Sequence, residues 1–404
     1  MRTKTKLLRT LALAALGLAA GLQPAQAQLT IPSDGSDGAF NPPASPTNVV
    51  IDLSQAVTGV WNANNTANAG KGIYDPEKWA VVFKYSSVNI PAGVTVSFIN
   101  HPTHAPVVWL VQGSVTNNGI VRLDGASGSI AVLALTPTEA GPGGFRGGPN
   151  GPQGRGDGLG PGGGIGNYAS GKYSSSYGNP QAIPLIGGSS GSAWDNNYGS
   201  GGAGGGAILI AASGILANEG TISAKGGAGF NLSIYGQGSG GAVRLIASQI
   251  SGSGEINCLP HYPSNGGDPG RIRIESPVLS SALRTYPETI AVPPATPPLI
   301  WPPAGAPTVR VVSVATIAAP ADPTAPLVSS ADVAIQNDSP SVIMLETQNF
   351  PIEGVVQVRA AQKWGSASWI NASYVSGNQA SAQWRATNTF VKGYTTLQAR
   401  ATAP

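Results

Sequence analysis

The chain has one cysteine, Cys258, among 404 residues. An internal disulfide is excluded, so the fold rests on burial and hydrogen bonding. Cys258 sits in "GEINCLP", with nothing nearby to depress its pKa, and reads as a small inward-facing apolar residue. Charge is scarce too. Asp, Glu, Lys and Arg make up 10% of the chain, against roughly a quarter in ordinary domains. The net charge of +3 includes Arg2, Lys4, Lys6 and Arg9, and no acid lies among the first 27 residues, so the remainder carries 3 − 4 = −1. A nucleic-acid or anionic-membrane partner needs a basic patch, and none is visible. No apolar run approaches the roughly 20 residues of a transmembrane helix, and no stretch has the pattern of an amphipathic helix.

The short apolar run that does exist has another meaning. Arg2, Lys4, Lys6 and Arg9 precede Leu11–Leu22, and Ala25-Gln26-Ala27 follows. This is the layout of a secretory signal peptide over residues 1–27. It predicts export to the extracellular space or outer cell surface, with a mature chain starting at Gln28.

What the chain has in abundance is glycine and proline, 56 and 34 residues. They alternate with β-branched apolar runs that disordered chains lack, which predicts an all-β fold with tight turns. Three stretches are self-similar: "GAILIAASGILANEGTISAKGG" from Gly206, "GAVRLIASQISGSGEINCLPH" from Gly241 and "GRIRIESPVLSSA" from Gly270. Each opens on glycine and continues as a short apolar strand. The spacing is 35 residues from Ala207 to Ala242 and 28 from Ala242 to Gly270. Imperfect periods of this size indicate a solenoid, because such short strands bury an apolar face only by stacking. Ile208, Ile210, Val243, Leu245, Ile272 and Ile274 are expected inside, with Arg244 and Arg273 outside.

The layout resembles the pectate-lyase-like right-handed parallel β-helix superfamily. More narrowly, "VNIPAGVTVSF", "GPGGFRGG", "GGGAILIAASGILANEGTISAKGG" and "GGDPGRIRIE" resemble glycine-rich exported bacterial proteins of unassigned function. Over roughly residues 50 to 280 the resemblance implies architecture, and it implies no activity.

The expected organisation is a cap region over 28–80, the glycine-rich parallel β-helix over 81–286, a proline-rich linker over 287–307 and a β-sandwich over 308–404. In the cap, Asp34 and Asp37 of "SDGSDG" suit turns better than a cation site. The linker holds eight prolines and reads as a stiff spacer. Beyond it, alternating segments such as "VRVVSV", "SVIMLETQNF" and "SAQWRATNTF" predict an immunoglobulin- or fibronectin-III-like sandwich. Trp364, Trp369 and Trp384 are either its core anchors or a carbohydrate-stacking platform.

Fourteen of the 26 residues from Gly141 to Gly166 are glycine. Collagen is excluded because the three-residue register fails at Asn150. Dinucleotide and P-loop motifs are excluded because the flanking strand and helix are missing. A mobile tether remains open, as does a packed piece of architecture with polyproline-II-like segments, which is the reading preferred here. Arg155-Gly156-Asp157 spells an adhesion tripeptide that such a tract produces by chance.

Chemistry is hard to find. Carboxylates are sparse in the repeats, and no two are neighbours. Arg244, Arg273 and Glu275 are the catalytic candidates a lyase would offer, more often simply a solvated face. Gly187–Gly191 matches the nucleophile-elbow pattern but lacks the helix that follows it. His101 and His104 have ligand-like spacing in a proline-broken turn and make an incomplete zinc site. No metal or cofactor is expected. Tyr168, Tyr173, Tyr177, Trp194 and Tyr198 punctuate an Asn-, Ser- and Gly-rich stretch and are candidate ligand-binding residues. The expected role is structural or adhesive, toward polysaccharide or extracellular matrix. A β-helix polysaccharide lyase or hydrolase and a subunit of an extracellular assembly are the alternatives. The sequence does not give the oligomeric state.

Overall fold

The computed structural model describes residues 29–129, 137–151, 154–166, 174–175, 177–193, 199–230, 236–263, 266–324, 331–336, 340–362 and 367–404. The chain is all-β, with short 3-10 turns such as Leu53–Gln55 and Thr66–Asn68. From residue 80 each coil of chain gives one strand to each of three sheets. The first full coil contributes Ala80–Tyr85, Ser87–Ile90 and Thr95–Ile99, and the second Val107–Val111, Val115–Asn117 and Ile120–Arg122. Ala207–Ala212, Ile215–Asn218 and Thr221–Ser223 follow, then Ala242–Ile246, Gln249–Ser251 and Glu255–Asn257. Equivalent strands pair in parallel, giving sheets of eight, five and six strands. Ile73–Asp75 runs antiparallel to Ala80–Tyr85 at one end of the eight-stranded sheet.

The central strands of the eight-stranded sheet are buried on both faces, which is why they read as nearly unbroken apolar runs such as "VVWLV" and "AILIAA". Strands of the other two sheets alternate, as in Ser87–Ile90, because one face meets water. Inside the coils, Phe83, Trp109, Ile210, Leu245 and Ile274 form one column and Val81, Val107, Ile208, Val243 and Ile272 another. The six expected inward residues are all in these columns. Ala207 pairs with Ala242 as the 35-residue spacing predicts, whereas Ala242 pairs with Arg271, one residue beyond Gly270. At the corner between the second and third strands, Asn117 Nδ2 donates to Asn218 Oδ1 at 2.7 Å. Both asparagines are buried, and Asn117 Oδ1 accepts from the Gly119 N–H at 3.2 Å. They supply partners that a buried turn would otherwise lack.

The outer face of the eight-stranded sheet is covered. Leu29 and Ile31 from the N-terminal side and Ile300 from the proline-rich segment pack on Val82, Val108, Leu110, Leu209 and Ile246. The Trp61 and Trp301 rings meet at 5.4 Å. Residues 287–307 therefore differ from the expected spacer: they add the strand Ala291–Val292 to this sheet and then fold back over it. In the cap, Asp37 accepts from Lys84 N at 2.7 Å, Asn65 Nδ2 at 2.7 Å and Gly70 N at 3.0 Å. The Lys84 ammonium lies 3.2 Å from Asp34. "SDGSDG" is thus a structural turn.

The glycine-rich excursions leave the coils between the third strand of one and the first strand of the next. Residues 200–206 show how they pack. Ser200, Ala203 and Gly206 donate their N–H groups to Ser129, Ala126 and Leu123. Gly201 and Gly204 donate to Gly148 and Phe145, and Gly202 and Gly205 to Gly236 and Ser239. Seven consecutive residues thus serve three neighbouring segments in rotation, with a period of three. That is the symmetry of a polyproline-II helix, which has three residues per turn and no internal hydrogen bonds. Segment 141–148 runs antiparallel to this one but parallel to 186–193, to which Phe145 and Gly148 donate at Gly188 and Gly191. The tether reading fails, because the described residues of Gly141–Gly166 are largely buried and hydrogen-bonded.

After residue 307 the chain forms two antiparallel sheets. One holds Ile317–Ala318, Thr308–Val314, Pro340–Gln348, Ser381–Thr389 and Ser373–Asn378, and the other Trp369–Asn371, Val355–Gln362 and Thr395–Thr402. Ile343, Leu345, Val356, Val358 and Trp384 fill the space between them.

Candidate functional site

The structure brings the catalytic candidates together and buries two of the three, leaving Arg273 partly exposed. Arg244 and Arg273 stack in register on adjacent coils. Glu275 Oε1 accepts from Arg244 Nε and Nη2 at 2.9 and 2.7 Å and lies 3.4 Å from Arg273 Nε. Arg244 and Glu275 are only 1% and 4% exposed. The reading of this trio as a solvated face is corrected. Arg244 does point to the outer side of the sheet, but the proline-rich segment lies over it, and Arg244 Nη2 also donates to Leu299 O at 2.6 Å. A buried charge held by two opposite partners is a structural clamp, with no route for a polymer to its carboxylate.

Of the aromatic candidates, Tyr168, Tyr173, Trp194 and Tyr198 lie outside the described residues, as does Trp364. Tyr177 is packed rather than presented. Its hydroxyl donates to Gly187 O, and its ring lies 5.4 Å from the Arg271 guanidinium and 6.3 Å from the Phe145 ring. In the serine motif, Ser189 and Ser190 are fully buried. Ser190 donates to Arg146 O and accepts from Leu159 N at 2.7 Å, so its hydroxyl is a fastener within the glycine bundle. Cys258 faces the core, where burial pushes its thiol well up. Trp384 is a core anchor donating to Thr347 Oγ1 at 2.9 Å, whereas Trp369 is half-buried under Arg400, 4.1 Å from its ring.

The two histidines separate. His101 stacks on Tyr74 at 4.0 Å, and Tyr74 donates to Asp322 at 2.6 Å. His104 Nε2 lies 3.5 Å from Glu139, which is also held by Arg146 at 3.1 Å and by Asn100 at 2.8 Å. Burial, with the nearby Arg146 charge, lowers the His104 pKa to about 4. Among the described residues no group of three His, Cys, Asp or Glu side chains has metal-binding geometry.

Comparison with protein-family models, with curated proteins and with solved structures gives no match.

Sequence reasoning missed the contacts that join the coils and bundle to the C-terminal sheets. Asp157, the acid of the Arg-Gly-Asp tripeptide, is 2% exposed. It accepts from Arg359 Nη2 at 2.6 Å, Ala367 N at 2.8 Å and Gly166 N at 2.7 Å. Arg359 Nη1 reaches Gly158 O at 3.1 Å. In this fold the tripeptide is an internal bolt and offers no carboxylate to a receptor. Beside it a cleft of about 1660 Å³ opens between Trp79, His104, Phe145 and Arg146 on one side and the edges of the C-terminal sheets on the other. The sequence signal for the bolt was a lone acid amid glycines, which has no local use for a charge.

Proposed function

We propose that the chain is an exported structural or adhesive protein of the bacterial cell surface. In this reading the coils are a right-handed parallel β-helix of the pectate-lyase-like kind, the usual hand for parallel crossovers. The C-terminal sheets are an immunoglobulin- or fibronectin-III-like sandwich. The glycine bundle braces one to the other, and the ligand is polysaccharide or extracellular matrix.

One observation carries this proposal: the catalytic candidates Arg244 and Glu275 are locked in a buried pair, while the five- and six-stranded sheets keep one face in water. On the five-stranded sheet, Asn89, Thr116, Ala217 and Ser251 align from strand to strand, all exposed or half-exposed. On the six-stranded sheet, Thr95, Ile120, Thr221, Glu255 and Arg284 do the same. Rows of small and polar side chains spaced by about 4.8 Å form a flat surface that suits the hydroxyls of an extended glycan.

The test is a soluble-polysaccharide panel with residues 28–404, scoring retention and bond cleavage together, with and without calcium. Retention without cleavage, lost in an Asn89→Arg, Thr116→Arg double variant, is expected. Cleavage overturns the structural reading, and the absence of retention across the panel removes polysaccharide as the ligand.

A further inference from the structure

We propose that the cleft between the coils and the C-terminal sheets binds a free long-chain carboxylic acid, its alkyl chain along the apolar wall and its carboxylate at Lys392. This goes beyond the surface reading above and does not rest on it.

The wall comes from the way the two sheets end. Thr308–Val314 and Thr395–Thr402 belong to different sheets and do not pair with each other. Their side chains Val309, Val311, Leu397 and Ala399 touch the core on one side and line the cleft on the other. All four are only half-buried or less. Folded interiors are close-packed, so an apolar wall along a cleft of about 1660 Å³ holds water at a cost. Ligand cavities commonly run to roughly 300–1,000 Å³, so an alkyl chain fits with room to spare. An aliphatic wall suits a hydrocarbon better than a sugar, whose hydroxyls need polar partners along their whole length.

The side of the cleft opposite the C-terminal sheets is held in place by hydrogen bonds. Trp79 and His104 both line it, and both hold positive φ values, 45° and 56°. Such strain in non-glycine residues clusters at ligand sites, where the surroundings over-determine it. Trp79 Nε1 donates to Thr103 O at 3.1 Å, and His104 O accepts from Gly143 N at 2.7 Å. Of the charged groups at the cleft, Arg146 is paired with Glu139, Arg310 with Glu346, and Asp332 accepts from Thr324 N. Lys392 lines the same cleft on an exposed turn and has no ion-pair partner among the described residues. One unpaired cation beside an aliphatic wall is complementary to a single anionic head on a hydrocarbon chain.

The experiment is calorimetric titration of residues 28–404 with dodecanoate, with 1-dodecanol and with phosphatidylglycerol vesicles. Dodecanoate is expected to saturate a single site. Lys392→Gln should weaken dodecanoate about tenfold and leave dodecanol unchanged. Ala399→Trp, which fills the cleft, should remove binding of both while circular dichroism shows the fold retained. If that variant does not fold, Val309→Phe tests the same wall. The proposal is overturned if dodecanoate does not bind, or if only vesicles bind. It is equally overturned if Lys392→Gln weakens acid and alcohol alike, or if a folded cleft-filling variant binds as before.

Discussion

The coils and the glycine bundle are two opposite solutions to the same packing problem. In the coils, backbone groups are satisfied within flat ladders, and large side chains such as Trp109 and Phe83 fill the space between sheets. In the bundle there is almost no side chain to bury. The backbone segments are themselves the packing units, each giving hydrogen bonds to several neighbours with a period of three. Stability in the coils therefore depends on what is present at a position, and in the bundle on what is absent. The C-terminal sheets follow the first rule but meet the bundle through the few charges the bundle holds, which makes that seam the most fragile element of the comparison.

Breaking the seam should have the largest effect. Asp157→Ala leaves Arg359 buried without its carboxylate and is expected to destabilise by about 3–5 kcal/mol, read as a shift in the urea midpoint. The double variant Asp157→Leu, Arg359→Met removes both charges and should recover most of that loss. If the single and double variants are equally destabilised, the bolt acts through packing and not through charge.

The next effect concerns His104, on the turn between Thr95–Ile99 and Val107–Val111, whose carbonyl accepts from Gly143 of the bundle. Its imidazole is neutral in the fold because burial lowers its pKa to about 4, from roughly 6.5 in an unfolded chain. Below pH 6.5 the unfolded chain takes up a proton that the folded chain refuses. The stability contributed by His104 is therefore fully present above that pH and is lost as the pH falls toward 4, amounting to about 2–3 kcal/mol by pH 4.5. His104→Asn, a residue that tolerates positive φ, should flatten the slope of unfolding free energy between pH 4 and 6.5. An unchanged slope would mean the imidazole is not held neutral in the fold.

How much of this was legible in the sequence follows from where each interaction keeps its signal. The columns through Ile210, Leu245 and Ile274 were legible because each inward residue has a like residue one coil away. The composition of Gly141–Gly166 pointed to close packing but not to its partners, since a backbone hydrogen bond leaves no mark on the side-chain sequence. Arg244 was placed on the correct side of its strand by alternation, but its cover, Leu299, comes from a proline-rich segment with no periodicity to follow. Asp157 and Arg359 lie 202 residues apart, and neither flanking pattern points to the other. The cleft was equally invisible, because its two walls are set by how separate regions dock. His101 and His104 drew notice by their spacing, yet the structure gives them different partners.

The smallest and most direct test of the comparison changes one carbon in each region, in opposite directions. A methyl added at Gly204 would overlap the carbonyl oxygen of Gly188, a backbone atom that cannot swing aside. Gly204→Ala is expected to cost about 1–3 kcal/mol by overpacking. A methylene removed at Ile210, inside the coil column, leaves a small void, and Ile210→Val should cost about 0.5–1.5 kcal/mol. Thermal unfolding of the two variants side by side reads both. A neutral Gly204→Ala would show that the bundle has slack between its segments and that glycine is there for flexibility. A neutral Ile210→Val would instead show that the coil column tolerates a void, and that its ladders, more than its side chains, hold it together.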